Sequence, residues 1–129
     1  MNVSFGKLAT MGRPPKAAGL YLHFIHLAEA LNEMSELPSL DPLEERILRI
    51  VADAHYSEQR LSVKDLMGMS ALGSPAMLHG RLKSMREKGW IYLAETEDAR
   101  RKQLELTQAA LAHFNKVGRC MVKAMKEFR

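Results

Sequence analysis

Apolar residues recur at helical spacing near both ends of the chain. In the N-terminal part they predict a helix over residues 17–37, which Pro38 ends. Its apolar side chains cover so much of the circumference that the helix needs more than one partner surface. Thr107 is placed to cap a final helix over 107–129 with a second apolar stripe.

Between these two segments, capping residues mark the starts of three further helices. Asp41, followed by a proline and by Glu44, forms a capping-box pattern. Ser62 begins a second such pattern, which opens a short helix. Ser74, again followed by a proline, starts a helix over about 74–88, and Gly89 is placed to end it.

The periodicity then changes from helical to alternating. Residues 90–93 and 103–106 predict two β-strands, and the charged stretch 94–102 between them predicts a hairpin with an exposed tip. The first sixteen residues show no period and end in a helix-unfriendly Arg-Pro-Pro-Lys stretch, so 1–16 is interpreted as a flexible arm.

Two capped helices followed by a hairpin with a basic tip are the parts of a winged helix-turn-helix. The sequence therefore predicts a mainly α fold with a small β-hairpin, in a single domain over 17–129. Within it, a winged-helix lobe at 41–106 is flanked by the helices at 17–37 and 107–129. In this fold the helix at 74–88 lies in a DNA major groove, and the wing at 94–102 reaches the flanking backbone or minor groove.

The chain resembles the MarR (multiple antibiotic resistance regulator) family of bacterial transcription regulators over about residues 17–128. The resemblance is carried by Leu40-Asp41, by the run from Leu82 to Ile91, and by the wing, where Asp98-Ala99-Arg100 precedes Leu104-Glu105-Leu106-Thr107. It implies a homodimer that binds a pseudo-palindromic operator, commonly with ligand-modulated repression. It also implies that the first and last helices of the two copies interlock.

The DNA-contacting candidates lie on the 74–88 helix and on the wing. They are Ser74, Ala76, Met77, His79, Gly80, Arg81, Lys83, Arg100, Arg101 and Lys102. Arg86, on the same helix, could also contact DNA. Asp98 is expected to position Arg100. Where family members often carry small hydroxyl residues and an arginine, this chain has Met77, His79 and Gly80. Met77 could contact a thymine methyl group and His79 a base edge, whereas Gly80 offers only close backbone approach.

The dimer-interface candidates follow from the same resemblance and from the two apolar stripes. They are Leu20, Phe24, Leu27, Leu31, Phe114, Met121 and Met125.

Composition and charge add bounds to this interpretation. The 129 residues carry a net charge of +4, and residues 107–129 contain five basic residues against one acidic residue. A basic half suits an anionic partner such as double-stranded DNA, although basic helical faces are often only solvated. With one cysteine, no long apolar run and no signal-peptide pattern at its start, the chain is expected to be cytoplasmic and to contact no membrane.

The sequence contains no motif typical of an enzyme. It has no glycine-rich phosphate loop, no nucleophile elbow and no metal-ligand quartet, so no catalysis, cofactor or metal is expected. His23 and His26 have a spacing compatible with one ligand, but a structural role is favoured. Cys120 could be a redox switch, yet its place in an apolar stripe favours packing.

One alternative of another class stays open. The winged helix could be a protein-interaction module, such as an antirepressor or scaffold, because Glu95, Glu97 and Asp98 make part of the wing acidic. The sequence leaves open the operator, the regulated genes, the sign of regulation, the existence of a small-molecule effector, and any DNA contact by the N-terminal arm.

Overall fold

The computed structural model describes residues 16–97 and 101–127. Within them the chain forms five helices and one two-stranded antiparallel sheet. In order, these elements are α1 Lys16–Glu33, α2 Pro42–Tyr56, α3 Val63–Met67, α4 Pro75–Glu87, β1 Ile91–Ala94, β2 Gln103–Leu106 and α5 Gln108–Glu127. This order confirms the prediction of a mainly helical chain with a small hairpin between α4 and the last helix.

The chain divides into two compact units. One unit is Glu36–His113, which contains α2, α3, α4 and the hairpin. The other combines residues 16–35 with residues 114–127 and therefore contains α1 and most of α5.

The predicted capping boxes at the starts of α2 and α3 are confirmed. The Asp41 carboxylate accepts the Glu44 N–H at 2.8 Å, and the Glu44 carboxylate accepts the Asp41 N–H at 2.9 Å. Ser62 and Asp65 repeat this reciprocal pair at 3.0 and 2.9 Å. Each box satisfies backbone donors that the first helical turn leaves without a partner, so local chemistry fixes where these helices begin.

The hairpin is held to the start of α3. β1 and β2 pair with Ile91 opposite Leu106 and Leu93 opposite Leu104. On the other edge of β2, the Leu104 N–H donates to the Leu61 carbonyl at 2.8 Å. The segment before α3 therefore extends the sheet by a short bridge, which ties the base of the wing to the helix-turn-helix.

The core of the Glu36–His113 unit is built from apolar residues of every element. Its buried members are Ile47, Leu48, Val51, Leu61, Leu66, Leu78, Leu82, Met85, Trp90, Ile91, Leu104, Leu106 and Ala110. They include Leu78, Leu82 and Met85, which form the inward face of α4. Burial of this apolar surface is the main stabilising contribution to the unit.

The junction between α4 and β1 depends on a glycine. Gly89 adopts φ +85°, a left-handed conformation that ends α4 as predicted. Trp90, predicted as the first strand residue, instead precedes β1. Its indole N–H donates to the Pro38 carbonyl at 2.8 Å. Its ring makes an edge-on contact with the His113 ring, with 5.1 Å between the ring centroids. This buried tryptophan thus fastens the junction to both ends of the unit.

One helix is shorter than the sequence predicts. α1 ends at Glu33 rather than at residue 37. The Met34 N–H donates to Leu31 and the Ser35 N–H to Asn32, so bonds of the tighter i→i−3 type close the helix. A tight turn therefore replaces the last helical turn before Pro38.

Candidate nucleic-acid interface

The N-terminal end of α4 is exposed to solvent. The Ser74 hydroxyl accepts the Met77 N–H at 3.2 Å, and Pro75 occupies the first helical position. Ser74, Pro75 and Ala76 are exposed, so the early backbone N–H groups of α4 lie at the surface. Such an end favours anions because its N–H groups and the helix dipole both present positive charge.

Beyond this end, α4 has one buried and one exposed face. Leu78, Leu82 and Met85 pack into the core. The exposed face carries five of the candidates predicted from the sequence: Ala76, Met77, His79, Gly80 and Lys83. Met77 is 48% exposed, so its apolar side chain is accessible from outside the chain. Glu87, at the end of α4, is the helix's single acidic residue.

Arg81 lies at the edge of this face and contacts the fold. Its Nε is 2.7 Å from the Asp41 carboxylate, and both side chains are about 40% exposed. The Glu44 N–H lowers the pKa of Asp41 most strongly, and the positive charge of Arg81 lowers it further. Lys88, one residue beyond α4, forms a comparable pair with Glu44 at 2.9 Å.

A cationic groove of about 470 Å³ lies between α3, α4 and the hairpin. Its floor contains apolar side chains, among them Met67, Leu82 and Leu93. Its polar lining residues are Ser62, Lys64, His79, Arg86, Arg101 and Lys102. No described acidic side chain lines this groove, so its charge is positive.

Lys64 was not among the sequence candidates, whereas Arg86 was. Lys64 is the second residue of α3, and Arg86 lies seven residues after His79 on α4, two helical turns along the same side. The sequence signal that could have found Lys64 is a cation on the side of its helix that faces the hairpin.

The described part of the wing combines opposite charges. Lys102 forms an ion pair with Glu95 across the hairpin. The Thr96 hydroxyl donates to the Arg101 carbonyl at 2.8 Å, which braces the same region. Two sequence candidates, Asp98 and Arg100, lie outside the described residues, and their assignments stay predictions.

The charges at the wing base also act on α3. The Ser62 N–H and hydroxyl lower the pKa of Asp65, and the nearby charges of Arg101 and Lys64 lower it further. Asp65 contributes to a second depression of about 290 Å³, which also contains Arg60 and Glu97. This second surface is mixed in charge, so the cationic groove is the better anion site.

The interface candidates of the other unit are incompletely buried within the chain. No residue of α1 is buried, including Leu20, Phe24, Leu27 and Leu31. On α5, Phe114 is partly exposed, while Met121 is 50% and Met125 62% exposed. Two helices thus carry apolar side chains that the described part of one chain leaves accessible.

Within this unit, His23 of α1 is paired with Glu127 of α5. The His23 Nε2 lies 2.7 Å from a Glu127 carboxylate oxygen, and this contact lowers the pKa of Glu127. Among the described residues, no three histidine, cysteine, aspartate or glutamate side chains are grouped to hold a metal ion. No helix in the described ranges is both long and apolar enough to span a bilayer.

Comparisons with known proteins identify the fold of this chain. No family model matches the sequence, and no curated protein matches it. Solved structures of bacterial regulators do match at the level of the backbone.

Three of these structures illustrate the likeness. A transcriptional regulator from Thermotoga maritima matches with TM-score 0.57 and 13% identity, over 86% of this chain and 70% of its own. S. aureus MepR bound to ethidium bromide matches with TM-score 0.59 and 15% identity, over 97% and 80%. The heme sensor PefR from Streptococcus agalactiae, in complex with heme, matches with TM-score 0.54 and 17% identity, over 95% and 76%. The chain therefore has the winged-helix fold of the MarR-type transcriptional regulators.

Proposed function

We propose that this chain is a dimeric, sequence-specific DNA-binding transcriptional regulator. In this proposal α4 enters the major groove of double-stranded DNA, and the wing lies on the flanking backbone or minor groove. The observation that carries it is the exposed polar face of α4 beside a groove lined by cations and, among the described residues, by no acid. A variant of S. aureus MepR, of the same fold, was solved bound to an oligodeoxyribonucleotide, which supports the proposal.

The cationic groove has the chemistry of a phosphate site. DNA presents about one negative charge per 1.7 Å of helix axis, and basic side chains that neutralise phosphates release condensed counterions. Lys64, Arg86 and Arg101 come from α3, α4 and the wing, so the groove gathers cations from three elements onto one surface. A DNA backbone that follows this groove would place bases against the exposed face of α4.

Base recognition is assigned to the exposed apolar and aromatic side chains of α4. Met77 can pack on a thymine methyl group, and His79 can donate to or accept from a base edge. Both are exposed in the described structure. This assignment makes His79 a determinant of sequence preference, while the groove cations determine overall affinity.

Dimerisation is assigned to α1 and α5, with a second copy of this chain as the occupant of their apolar faces. No α1 residue is buried within the chain, and the methionines of α5 are half or more exposed. A two-fold dimer would bury the same faces on both copies and present two α4 helices. Those helices would read half-sites about 34–36 Å apart.

A binding experiment with unselected DNA tests the DNA-binding function. The purified protein is mixed with a random-duplex pool at low and at physiological salt, and the shifted fraction is sequenced. We expect a palindrome with half-sites one helical turn apart. Salt-sensitive binding without any motif would contradict sequence specificity, and absence of binding at low salt would favour a protein-interaction module.

Two charge-introducing variants separate dimerisation from DNA binding. Met125→Glu should shift the molar mass in light scattering from dimer to monomer, because it places a charge in the proposed interface. Met77→Glu introduces the same change on α4 and should abolish the DNA shift while leaving the dimer intact. A Met125→Glu protein that keeps the wild-type molar mass would contradict the assigned interface.

Small-molecule control is a further part of the proposal, supported by the ethidium and heme complexes of proteins with this fold. Thermal unfolding with and without ethidium, and with and without heme, tests the two probes directly. A rise in Tm together with release of DNA would support an effector site. A Tm unchanged by either compound would contradict control by these ligand classes.

A further inference from the structure

Four cations lie on or directly after α4, and they fall into two pairs. Arg81 and Lys88 are seven residues apart, so they lie two turns from each other on the same side of the helix. Lys83 and Arg86 lie on the other side. In the sequence, all four cations are equally available to contact DNA. In the structure, the two pairs differ in the partners that they have within the chain.

The side chain of Arg81 contacts Asp41, the residue directly before α2. Its Nε lies 2.7 Å from an Asp41 carboxylate oxygen. Asp41 is also the N-cap of α2, and its other carboxylate oxygen accepts the Glu44 N–H. The charge of Arg81 is therefore balanced by a carboxylate that the fold already holds in place.

Lys88 is held more firmly, at the other end of the same side of α4. Its ammonium group lies 2.9 Å from Glu44 Oε1 and donates to the Ser39 carbonyl at 3.0 Å. The Glu44 side chain is only 2% exposed, and the same oxygen accepts the Asp41 N–H. One capping box thus supplies the partners of both cations.

We propose that Arg81 and Lys88 are positioning residues, which hold α4 against the N-terminal end of α2. Lys83 and Arg86 would then be the cations through which this helix contacts DNA phosphates. The inference rests on the proposed DNA-binding function and assigns roles within the same surface. It also gives Arg81 an indirect role in place of the direct contact predicted from its position in the sequence.

The charge environment supports this division. Lys83 and Arg86 are exposed and form no ion pair within the described ranges, and Arg86 lines the cationic groove. Moving Lys88 to a phosphate would leave the buried Glu44 carboxylate without its counter-charge, which is strongly unfavourable. The charge of a cation that is paired with a carboxylate is already balanced. Such a cation neutralises no DNA phosphate and therefore releases no counterion when DNA binds.

The salt dependence of DNA affinity separates a phosphate contact from a positioning role. Each phosphate contact contributes about 0.9 to the slope of log K against log salt. We expect Lys83→Gln to reduce the magnitude of the slope by about 1.8, because each copy of the dimer loses one contact. Arg81→Gln should instead lower affinity by about threefold, a loss typical of an exposed ion pair, with the slope unchanged. Arg49→Gln, at an exposed α2 position, is the control for loss of one positive charge.

A double-mutant cycle tests whether Arg81 acts through Asp41. Asp41→Asn removes the carboxylate charge but keeps a good N-cap, so α2 still begins in the same place. In that background we expect Arg81→Gln to cause no further loss of DNA affinity. The coupling should also appear in denaturant unfolding without DNA.

Lys88 is tested with its partner because Lys88→Gln alone leaves a buried charge. The pair Glu44→Gln with Lys88→Gln replaces the ion pair by two neutral amides, and we expect the wild-type salt slope. A slope reduced by about 1.8 in this pair or in Arg81→Gln would overturn the inference while leaving DNA binding intact. A wild-type protein that binds no DNA would overturn the proposed function and the inference together.

Discussion

Replacing Gly80 by alanine should stabilise the protein and weaken its binding to DNA. Gly80 lies in the interior of α4, and a Cβ built there would meet no atom within 4 Å beyond the adjacent residues and the neighbouring backbone of its own helix. Nothing in the described chain therefore requires a glycine at this position. Alanine in a helix interior is about 1 kcal/mol more favourable than glycine, so we expect Gly80→Ala to raise Tm by about 3–6 °C.

The expected loss of DNA affinity has a separate cause, which acts only in the complex with DNA. If α4 approaches bases as closely as the missing side chain allows, a methyl group at residue 80 overpacks the interface by about 1–3 kcal/mol. We therefore expect roughly tenfold weaker binding at constant salt, measured by fluorescence anisotropy beside a thermal melt. Ala112→Gly, at an exposed position inside α5, is the matched control; it should lower Tm and leave DNA affinity unchanged. A Gly80→Ala protein that is more stable and binds DNA as tightly as the wild type would refute the reasoning.

Three further predictions concern stability and specificity. The fold keeps the pKa of Glu44 below its usual value of 4.5, since burial raises it but the Asp41 N–H, Lys88 and Ser84 lower it more. The resulting stability is present above about pH 5 and is lost as pH falls through the lower folded pKa, so Glu44→Gln should weaken the acid dependence of the unfolding free energy measured from pH 7 to pH 3. Leu78→Ala removes a fully buried side chain and should cost about 2–5 kcal/mol in urea unfolding; a loss below 1 kcal/mol would contradict its core position. His79→Ala should reorder the preferred DNA sites in a selection experiment, and an unchanged ranking would refute its role in base recognition.

The helix starts and the hairpin could be predicted because their causes are local. Asp41, Ser62 and Ser74 each accept a backbone N–H three residues ahead, so the chemistry lies within one turn of sequence. Gly89 is equally local, since its positive φ is the reason for a glycine there. Alternating Leu104 and Leu106 fixed which face of β2 is buried, and both residues are in the core.

The parts that sequence reasoning missed depend on packing between distant segments. His113 had no visible partner in the sequence, yet it lies edge-on to Trp90. The pairing of Lys88 with Glu44 joins residues 44 positions apart, and no periodicity within either helix indicates it. The early end of α1 likewise depends on a turn whose bonds form only once the chain leaves the helix.

Contacts between distant segments also change the number of α4 cations that are available to contact DNA. Counting every cation on or directly after α4 would give four phosphate contacts per copy, from Arg81, Lys83, Arg86 and Lys88. The two ion pairs would leave two. In a dimer the helix would then contribute about −3.6 rather than −7.2 to the salt slope. The remaining slope must come from the groove and the wing, whose cations are themselves partly neutralised, as Lys102 is by Glu95. With the proposed function, the chain would gain DNA affinity from the placement of a few cations without ion-pair partners among the described residues, and its net charge alone would overestimate its electrostatic contact with DNA.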